Sequence, residues 1–441
     1  MDAEVLKRVY QVANVSPLLL MRRFAATWRQ EGFASVAAKT RDYVGRRMNR
    51  NPVLPSVGKP GAEYLQPMWQ TLARQQAFHI TAAPATLTRL RQIALIGDLN
   101  LPQCRKYRVE QLAQFWQARG VGFEYAHFED IPRATRILQQ ATHLMEYRLQ
   151  NNPLTQMLRY EAHRLRLPVL YDLDDPLFSI SAYETYGNMQ AVDEDLKHHF
   201  LRAAPSYLSM MNGADIVSVS TPALVAHARQ YTNRDVHLRR NFADRETLQA
   251  GQIAMANGKA NDGLFRVGFA SGSQGHEADL GTILDSVSAF ILAKPNRRLC
   301  VFGHFDTRFL PQALLPRVEK RGFADYAAYL GALAHVDCTV MPLTADIFNG
   351  CKSAVRVLDA AAVGVPSVVA DVGDLAFAVK PGETGFVATD AASWTAALED
   401  LAESGRARRM GQAARVMLEA RWQASDAAHI IAPEILRWVE G

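Results

Sequence analysis

The sequence predicts an α/β protein made of two consecutive Rossmann-like, doubly wound domains facing a cleft, preceded by a basic helical extension. Three observations predict this. From Arg91 onward, short apolar runs of strand type alternate with helical segments. The alternation breaks near residues 241–263 and then starts again. The chain, at 441 residues, exceeds what one ordinary core uses. Hydrophobic residues at 49% and charged residues at 21% are the balance of a globular chain and argue against disorder. No short-period repeat is visible, which argues against a solenoid.

Residues 1–88 read as the extension and a linker. Within 18–48 two short amphipathic helices are expected, separated near Gly32, with Met21, Phe24 and Trp28 at helical spacing. Phe33, Val36, Thr40 and Tyr43 or Val44 continue that stripe, and arginines and lysines line the other side. Residues 1–60 hold eleven Lys and Arg against four acids, so the +5 of the whole chain lies there and the remainder is slightly acidic. A nucleic-acid partner would call for positive charge across the main domains, so none is expected. Two readings of the extension stand: a helix lying in the plane of an anionic membrane surface, or a helical pair docked on the protein itself. The opening residues lack the layout of a secretory signal, and no run of about 18 apolar residues exists to span a bilayer. The expectation is a cytoplasmic protein, peripheral at the inner face of the membrane if the first reading holds. The four scattered cysteines read as reduced, packed thiols.

The first domain, 89–245, is expected to draw strands from 91–99, 121–128, 141–148, 167–175 and 214–220, with a helix over 109–120. The second, 246–420, is expected to draw strands from 264–270, 297–303, 337–343, 366–371 and 385–389. Residues 421–441 read as a final amphipathic helix.

The stretch NGCKSAVRVLDAAAVGVPSVVAD (349–371) is the most informative. A loop supplies Asn349, Lys352 and Ser353, a helix begins there, and Gly364-Val365-Pro366 ends it before a buried strand. A helix start with exposed N–H groups beside Lys and Ser is a ready anion site. Lys352, Arg356 and Asp359 recur at i, i+4, i+7 and share a face. Asp359 could accept hydrogen bonds from ribose hydroxyls while Lys352 and Ser353 hold a pyrophosphate; the plain alternative is a surface helix carrying one Lys and one Asp. In VGFASGSQGHEADL (267–280), Gly272, Ser273 and Gly275 could bring backbone N–H groups near a diphosphate. His276 either contacts phosphate or is structural. The spacing is not that of a dinucleotide fingerprint or a P-loop.

The first domain offers acceptor-side candidates. Arg105, Lys106 and Arg108 follow its first strand, where ligands of open α/β sheets sit; they suit a phosphorylated acceptor or form a solvated helix start. Asp172, Asp174 and Asp175 close the buried strand LPVLY (167–171). They could bind acceptor hydroxyls, orient a basic side chain or hold a divalent cation.

These motifs resemble the GT-B glycosyltransferases of family four, over roughly residues 91–420 and most strongly over 264–389. The family's donor helix carries a Glu, seven residues, a second Glu and A-x-G-x-P; here Asp359 stands at the second acid and Cys351 at the first. The variant with Lys-Ser, found in polysaccharide-assembly enzymes, fits CKSAVRVLDAAAVGVP better. DVGDLAFAVKPGETGFVA (371–388) and NFAD (241–244) are similar to the family's following turn and interdomain junction. The resemblance implies two GT-B domains, with the nucleotide-sugar donor on the second and a glycan or polyprenyl-linked acceptor on the first. It also implies surface-polysaccharide biosynthesis with retention at the anomeric carbon, no catalytic metal or other cofactor, and the first two roles for the acidic trio. With Cys351 where the first Glu belongs, no catalytic acid or base is assigned. Two other classes remain: a non-catalytic subunit of this shape that binds nucleotide or glycan for a partner enzyme, and a two-Rossmann oxidoreductase or UDP-sugar epimerase.

Overall fold

The structure, a computed structural model, describes residues 90–440 except 193, 259–261, 272–275 and 425–427, together with the isolated residues 25 and 37. The readings placed on residues 1–88 and on the Gly272–Gly275 loop therefore lie outside the described residues. From residue 90 onward, everything below belongs to one compact unit spanning 65–441.

The first lobe contains strands β1 (Gln92–Gly97), β2 (Gly122–His127), β3 (His143–Tyr147), β4 (Val169–Leu173), β5 (Ile216–Val219) and β6 (Asp235–Leu238). They form a six-stranded parallel sheet in the order β2-β1-β3-β4-β5-β6. The second lobe contains β7 (Phe265–Ser271), β8 (Arg297–Gly303), β9 (Val318–Arg321), β10 (Cys338–Met341), β11 (Ser367–Ala370) and β12 (Gly385–Ala388). Its sheet is also six-stranded and parallel, in the order β12-β11-β10-β7-β8-β9. Two doubly wound sheets in tandem match the expected architecture. Each has a place where strand order reverses, between β1 and β3 and between β7 and β10. Ligands of such sheets sit beyond the strand carboxyl ends at those points.

The expected strands coincide with the apolar runs because parallel strands covered on both faces are apolar on both faces. Every residue of β3, β4, β10 and β11 is buried. Two strands were not expected, β6 (DVHL) and β9 (VEKR). Both are short edge strands, and their polar composition is what an exposed edge tolerates.

The lobes join twice. Residues 240–244 lead out of the first lobe, and Asp244 caps the helix Arg245–Ala256, its side chain accepting from Thr247 N–H. Later the helix Arg406–Arg421 ends and the chain returns to the first lobe. The two crossings run side by side: Arg240 N–H donates to Ile430 O at 2.7 Å and Ala243 N–H to Trp422 O at 2.8 Å. The final helix, Pro433–Glu440, then packs on the first sheet. Ile435 and Val439 are fully buried, Trp438 meets His143 edge-on at 4.8 Å, and Arg119 pairs with Glu440 at 2.6 Å.

Gly364 takes φ +68° just past the end of the helix Val355–Ala362, a left-handed position that suits glycine. Its carbonyl oxygen would lie 1.9 Å from a Cβ placed on Gly411. That contact is to backbone, so the helix Arg406–Arg421 would have to move to admit a methyl group. Gly411→Ala should therefore destabilise the protein by about 2 kcal/mol. In urea titrations the midpoint should fall with the slope unchanged; an unchanged midpoint would show that the two helices slide apart freely.

Candidate functional site

A cavity of about 630 Å³ opens between the carboxyl ends of the two sheets. That size suits a small-molecule ligand. From the first lobe it is lined by Cys104, Lys106, Tyr107, Asp174 and Asp175, and from the junction by Asn241. From the second lobe come Ser271, His276, Phe302, Gly303, Phe323, Tyr326, Tyr329, Lys352, Ser353, Arg356 and Asp359. Gly303 (φ +79°) is required there, because a Cβ would meet Ser271 O at 2.1 Å.

The helix after Lys352 and Ser353 starts later than its sequence suggests. A short helix Ile347–Gly350 and a turn at 351–354 precede the helix Val355–Ala362. Lys352 and Ser353 lie in that turn, yet Lys352, Arg356 and Asp359 still line one cavity. The Lys352 ammonium donates to Tyr186 Oη at 2.8 Å and lies 4.8 Å from the Tyr186 ring centre. Burial holds it below its usual range, with the carboxylates of Asp279 and Asp175 opposing. Arg356 Nη1 donates to Ala270 O at 3.0 Å. His276 Nδ1 hydrogen-bonds Asp279 Oδ2 at 2.6 Å, and burial keeps the imidazole below its usual range. Asn349 is fully buried outside the cavity, where its Nδ2 donates to Asp346 Oδ2 at 2.8 Å.

Asp359 is met by hydroxyls of both lobes. Tyr107 Oη lies 2.6 Å from each carboxylate oxygen, and Tyr326 Oη donates to Oδ1 at 2.8 Å. Burial pushes the carboxyl up to about 6, although both hydroxyls pull it the other way. Neither tyrosine was expected from sequence.

The basic residues after β1 do not form one cluster. They lie on a helix that begins at Pro102, passes through a π turn at Lys106–Glu110 and continues as Gln111–Ala118. Arg105 is exposed and pairs with Glu110 at 2.8 Å. Lys106 is buried against the cavity, its ammonium 2.8 Å from Asp244 and also paired with Glu246. Arg108 is fully buried outside the cavity: Nη2 reaches Asp172 Oδ1 at 2.5 Å and Nε reaches Oδ2 at 3.0 Å.

The acidic trio divides in the same way. Asp172 is interior, bound by Arg108, by Arg239 and by the Ser218 hydroxyl. Burial raises its carboxyl, but the two guanidiniums outweigh this and hold it below the usual range. Asp174 and Asp175 line the cavity. Asp174 accepts from Tyr147 Oη at 3.1 Å and lies 3.4 Å from Arg148 Nη1. Asp175 is pushed up to about 6 by burial and by the Asp174 carboxylate, against the pull of Arg148 and Lys352. Arg148 itself sits at φ +51°, an uncommon conformation for a side chain of this size.

Comparison with known proteins points one way. Residues 265–404 match the family described as Glycosyl transferases group 1. No curated protein matches the chain. Among solved structures, sucrose-phosphate synthase from Thermosynechococcus elongatus is 17% identical with a TM-score of 0.53, covering 79% of this chain and 98% of its own. WaaG, a glycosyltransferase involved in lipopolysaccharide biosynthesis, is 10% identical with a TM-score of 0.53, covering 79% and 100%. A glycosyltransferase from Rickettsia africae is 10% identical with a TM-score of 0.52, covering 80% and 98%. At these identities the likeness concerns the fold, which is GT-B.

The Asp359 carboxyl sets a pH dependence. The folded protein holds its proton up to about pH 6, the unfolded chain only to about 3.9. Between those values the folded state binds the extra proton, so this group's contribution to stability falls as pH rises through 6. Asp359→Asn carries no charge to desolvate. Its stability relative to wild type should improve by up to about 3 kcal/mol between roughly pH 4 and pH 7. A difference that stays constant in urea titrations across that range would refute a raised carboxyl.

Proposed function

We propose that this chain is a glycosyltransferase that moves a hexosyl group from a nucleotide-sugar donor to a glycan or lipid-linked acceptor in surface-polysaccharide biosynthesis. The observation that carries this reading is the interlobe cavity, where Lys352, Ser353 and Arg356 face Asp174 and Asp175. Polar groups suited to an anion lie on one wall, and carboxylates suited to hydroxyls lie on the other. The matched family domain covers the wall that carries the cations.

Departure of the nucleoside diphosphate loads negative charge onto its phosphate oxygens, and preplaced donors there lower the barrier. In this reading Lys352, Ser353 and Arg356 hold the diphosphate. Lys352 then exchanges the Tyr186 hydroxyl for a phosphate oxygen. The two cations supply the positive charge, and the reading includes no metal. Asp174 and Asp175 receive the acceptor's hydroxyls, and enclosure between the lobes favours transfer over hydrolysis. Retention at the anomeric carbon is part of the reading. Cys351 contributes no acid: the residue is 2% exposed, and burial pushes its thiol up to about 12.

The basic residues of 1–60 place the enzyme on the cytoplasmic face of an anionic membrane in the same reading. Deleting them should abolish co-sedimentation with vesicles rich in anionic lipid; sedimentation equal to that of the full chain would remove the membrane from the proposal.

A ligand that binds only the folded state raises its melting temperature. In a panel of UDP, GDP, dTDP, ADP and CMP, one nucleotide should raise the wild-type Tm, and Lys352→Ala should lose most of that shift. At a ligand concentration of about 100 times Kd the stabilisation is about 2.7 kcal/mol, large enough to read. Absence of any shift in the wild type would favour a non-catalytic subunit that binds only glycan.

A further inference from the structure

The junction between the lobes places Asn241 between a buried guanidinium and a hydroxyl of the cavity wall. Arg108 Nη1 lies 3.1 Å from Asn241 Oδ1, and Asn241 Nδ2 lies 2.8 Å from Ser353 Oγ. Asn241 is 4% exposed, and both it and Ser353 line the cavity. Arg108 has no freedom to turn elsewhere. Its Nε and Nη2 are held by Asp172, and Nη1 also donates to Arg239 O at 2.6 Å.

This arrangement settles the hydrogen positions by chemistry alone. A guanidinium only donates, so the amide atom facing it has to be the oxygen. The amide's NH₂ therefore faces Ser353, and Ser353 Oγ has to accept. A hydroxyl that accepts still has its own hydrogen to give. Among the described residues, Ser353 Oγ makes no other hydrogen bond. The next partner it can serve is an acceptor inside the cavity.

We propose that Asn241 is a positioning residue: anchored by Arg108, it holds Ser353 as an acceptor and so directs the Ser353 hydroxyl hydrogen into the cavity, toward an oxygen of a bound diphosphate. This rests on the diphosphate reading of the same cavity. Its physical worth is preorganisation, because the donor is aimed before the charge arrives and needs no reorientation when it does. The arrangement also selects the ligand's chemistry. An oxygen without hydrogens, as in a phosphate anion, satisfies the Ser353 donor; an ammonium or an amide nitrogen does not.

Asn241→Asp gives a direct test. It keeps an oxygen for Arg108 and replaces the amide nitrogen with a second acceptor, which takes the Ser353 hydrogen away from the cavity. Inorganic pyrophosphate is the probe, titrated calorimetrically into the full-length protein beside the nucleotide chosen by the thermal panel. Asn241→Asp should weaken pyrophosphate binding about tenfold in the wild-type background. With Ser353→Ala already in place it should weaken binding only about twofold, the part due to added charge, because residues acting through one another are not additive. Equal losses in both backgrounds would overturn the proposal while leaving the diphosphate site standing. If Asn241→Asp does not fold, Ser353→Thr and Ser353→Ala decide. The threonine, which keeps the hydroxyl, should bind pyrophosphate as wild type does and the alanine several-fold more weakly; equal affinities for the two would overturn it. Wild-type protein that binds neither pyrophosphate nor any nucleotide would overturn the underlying reading as well.

Discussion

One carboxylate organises the first lobe and its junction with the second. Asp172, at 2% exposure, is shared by the guanidiniums of Arg108 and Arg239. Each arginine also donates to the other's backbone carbonyl, Arg108 to Arg239 O and Arg239 to Arg108 O. Taking three charges out of water is expensive, and removing one partner of such a group typically costs about 3–5 kcal/mol. The cluster joins three elements far apart in sequence: the turn after β1, the end of β4 and the residue after β6. It thereby sets where residues 240–244 leave the first lobe. The site inherits its geometry from that exit point, because Asn241 and Asp244 both lie on it and both touch residues of the cavity wall. With two guanidiniums on one carboxylate the cluster carries a surplus positive charge beside a cavity read as an anion site. Burial and the neighbouring Arg108 lower the Arg239 guanidinium to about 10, which still leaves it charged near neutrality.

The π turn at Lys106–Glu110 is the second constraint. Four consecutive residues, Lys106, Tyr107, Arg108 and Val109, are all buried. An ordinary surface helix buries a stripe and exposes the rest. This one is enclosed on two sides. Lys106 serves Asp244 at the junction and Tyr107 serves Asp359 beyond it, whereas Arg108 serves the interior of the first lobe. An inserted residue that widens one turn is a recurrent device at functional sites.

How much was legible in the sequence follows from what each feature needs. Strands buried on both faces announce themselves as apolar runs, so ten of the twelve were readable. The polar edges β6 and β9 carry no such signal. The cations on the second lobe's wall were readable because they lie within a few residues of one another around one helix start. Arg108 was read as facing an acceptor or solvent, and Asp172 as binding acceptor hydroxyls, orienting a basic side chain or holding a cation. The structure buries both and pairs them, which is the second of those roles for Asp172. Their pairing spans 64 residues, and no local pattern shows that two charges will neutralise each other. Tyr107 and Tyr326 converge on Asp359 from separate lobes, which composition cannot reveal. Asn241 was half visible, marked as a junction but not as a neighbour of Ser353.

The returning helix Pro433–Glu440 bears on how the protein is made. It covers part of the first sheet with residues that come after the whole second lobe, through Ile435, Trp438 and Val439. A ribosome releases the first lobe's six strands long before it reaches these residues, and domains generally fold as units during synthesis. Here the N-terminal unit stays short of one cover until the second lobe has been translated. The apolar floor around His143 is meanwhile open to chaperones, or to the wrong neighbour. Completion of the first lobe has to wait for the second, although its own six strands precede it.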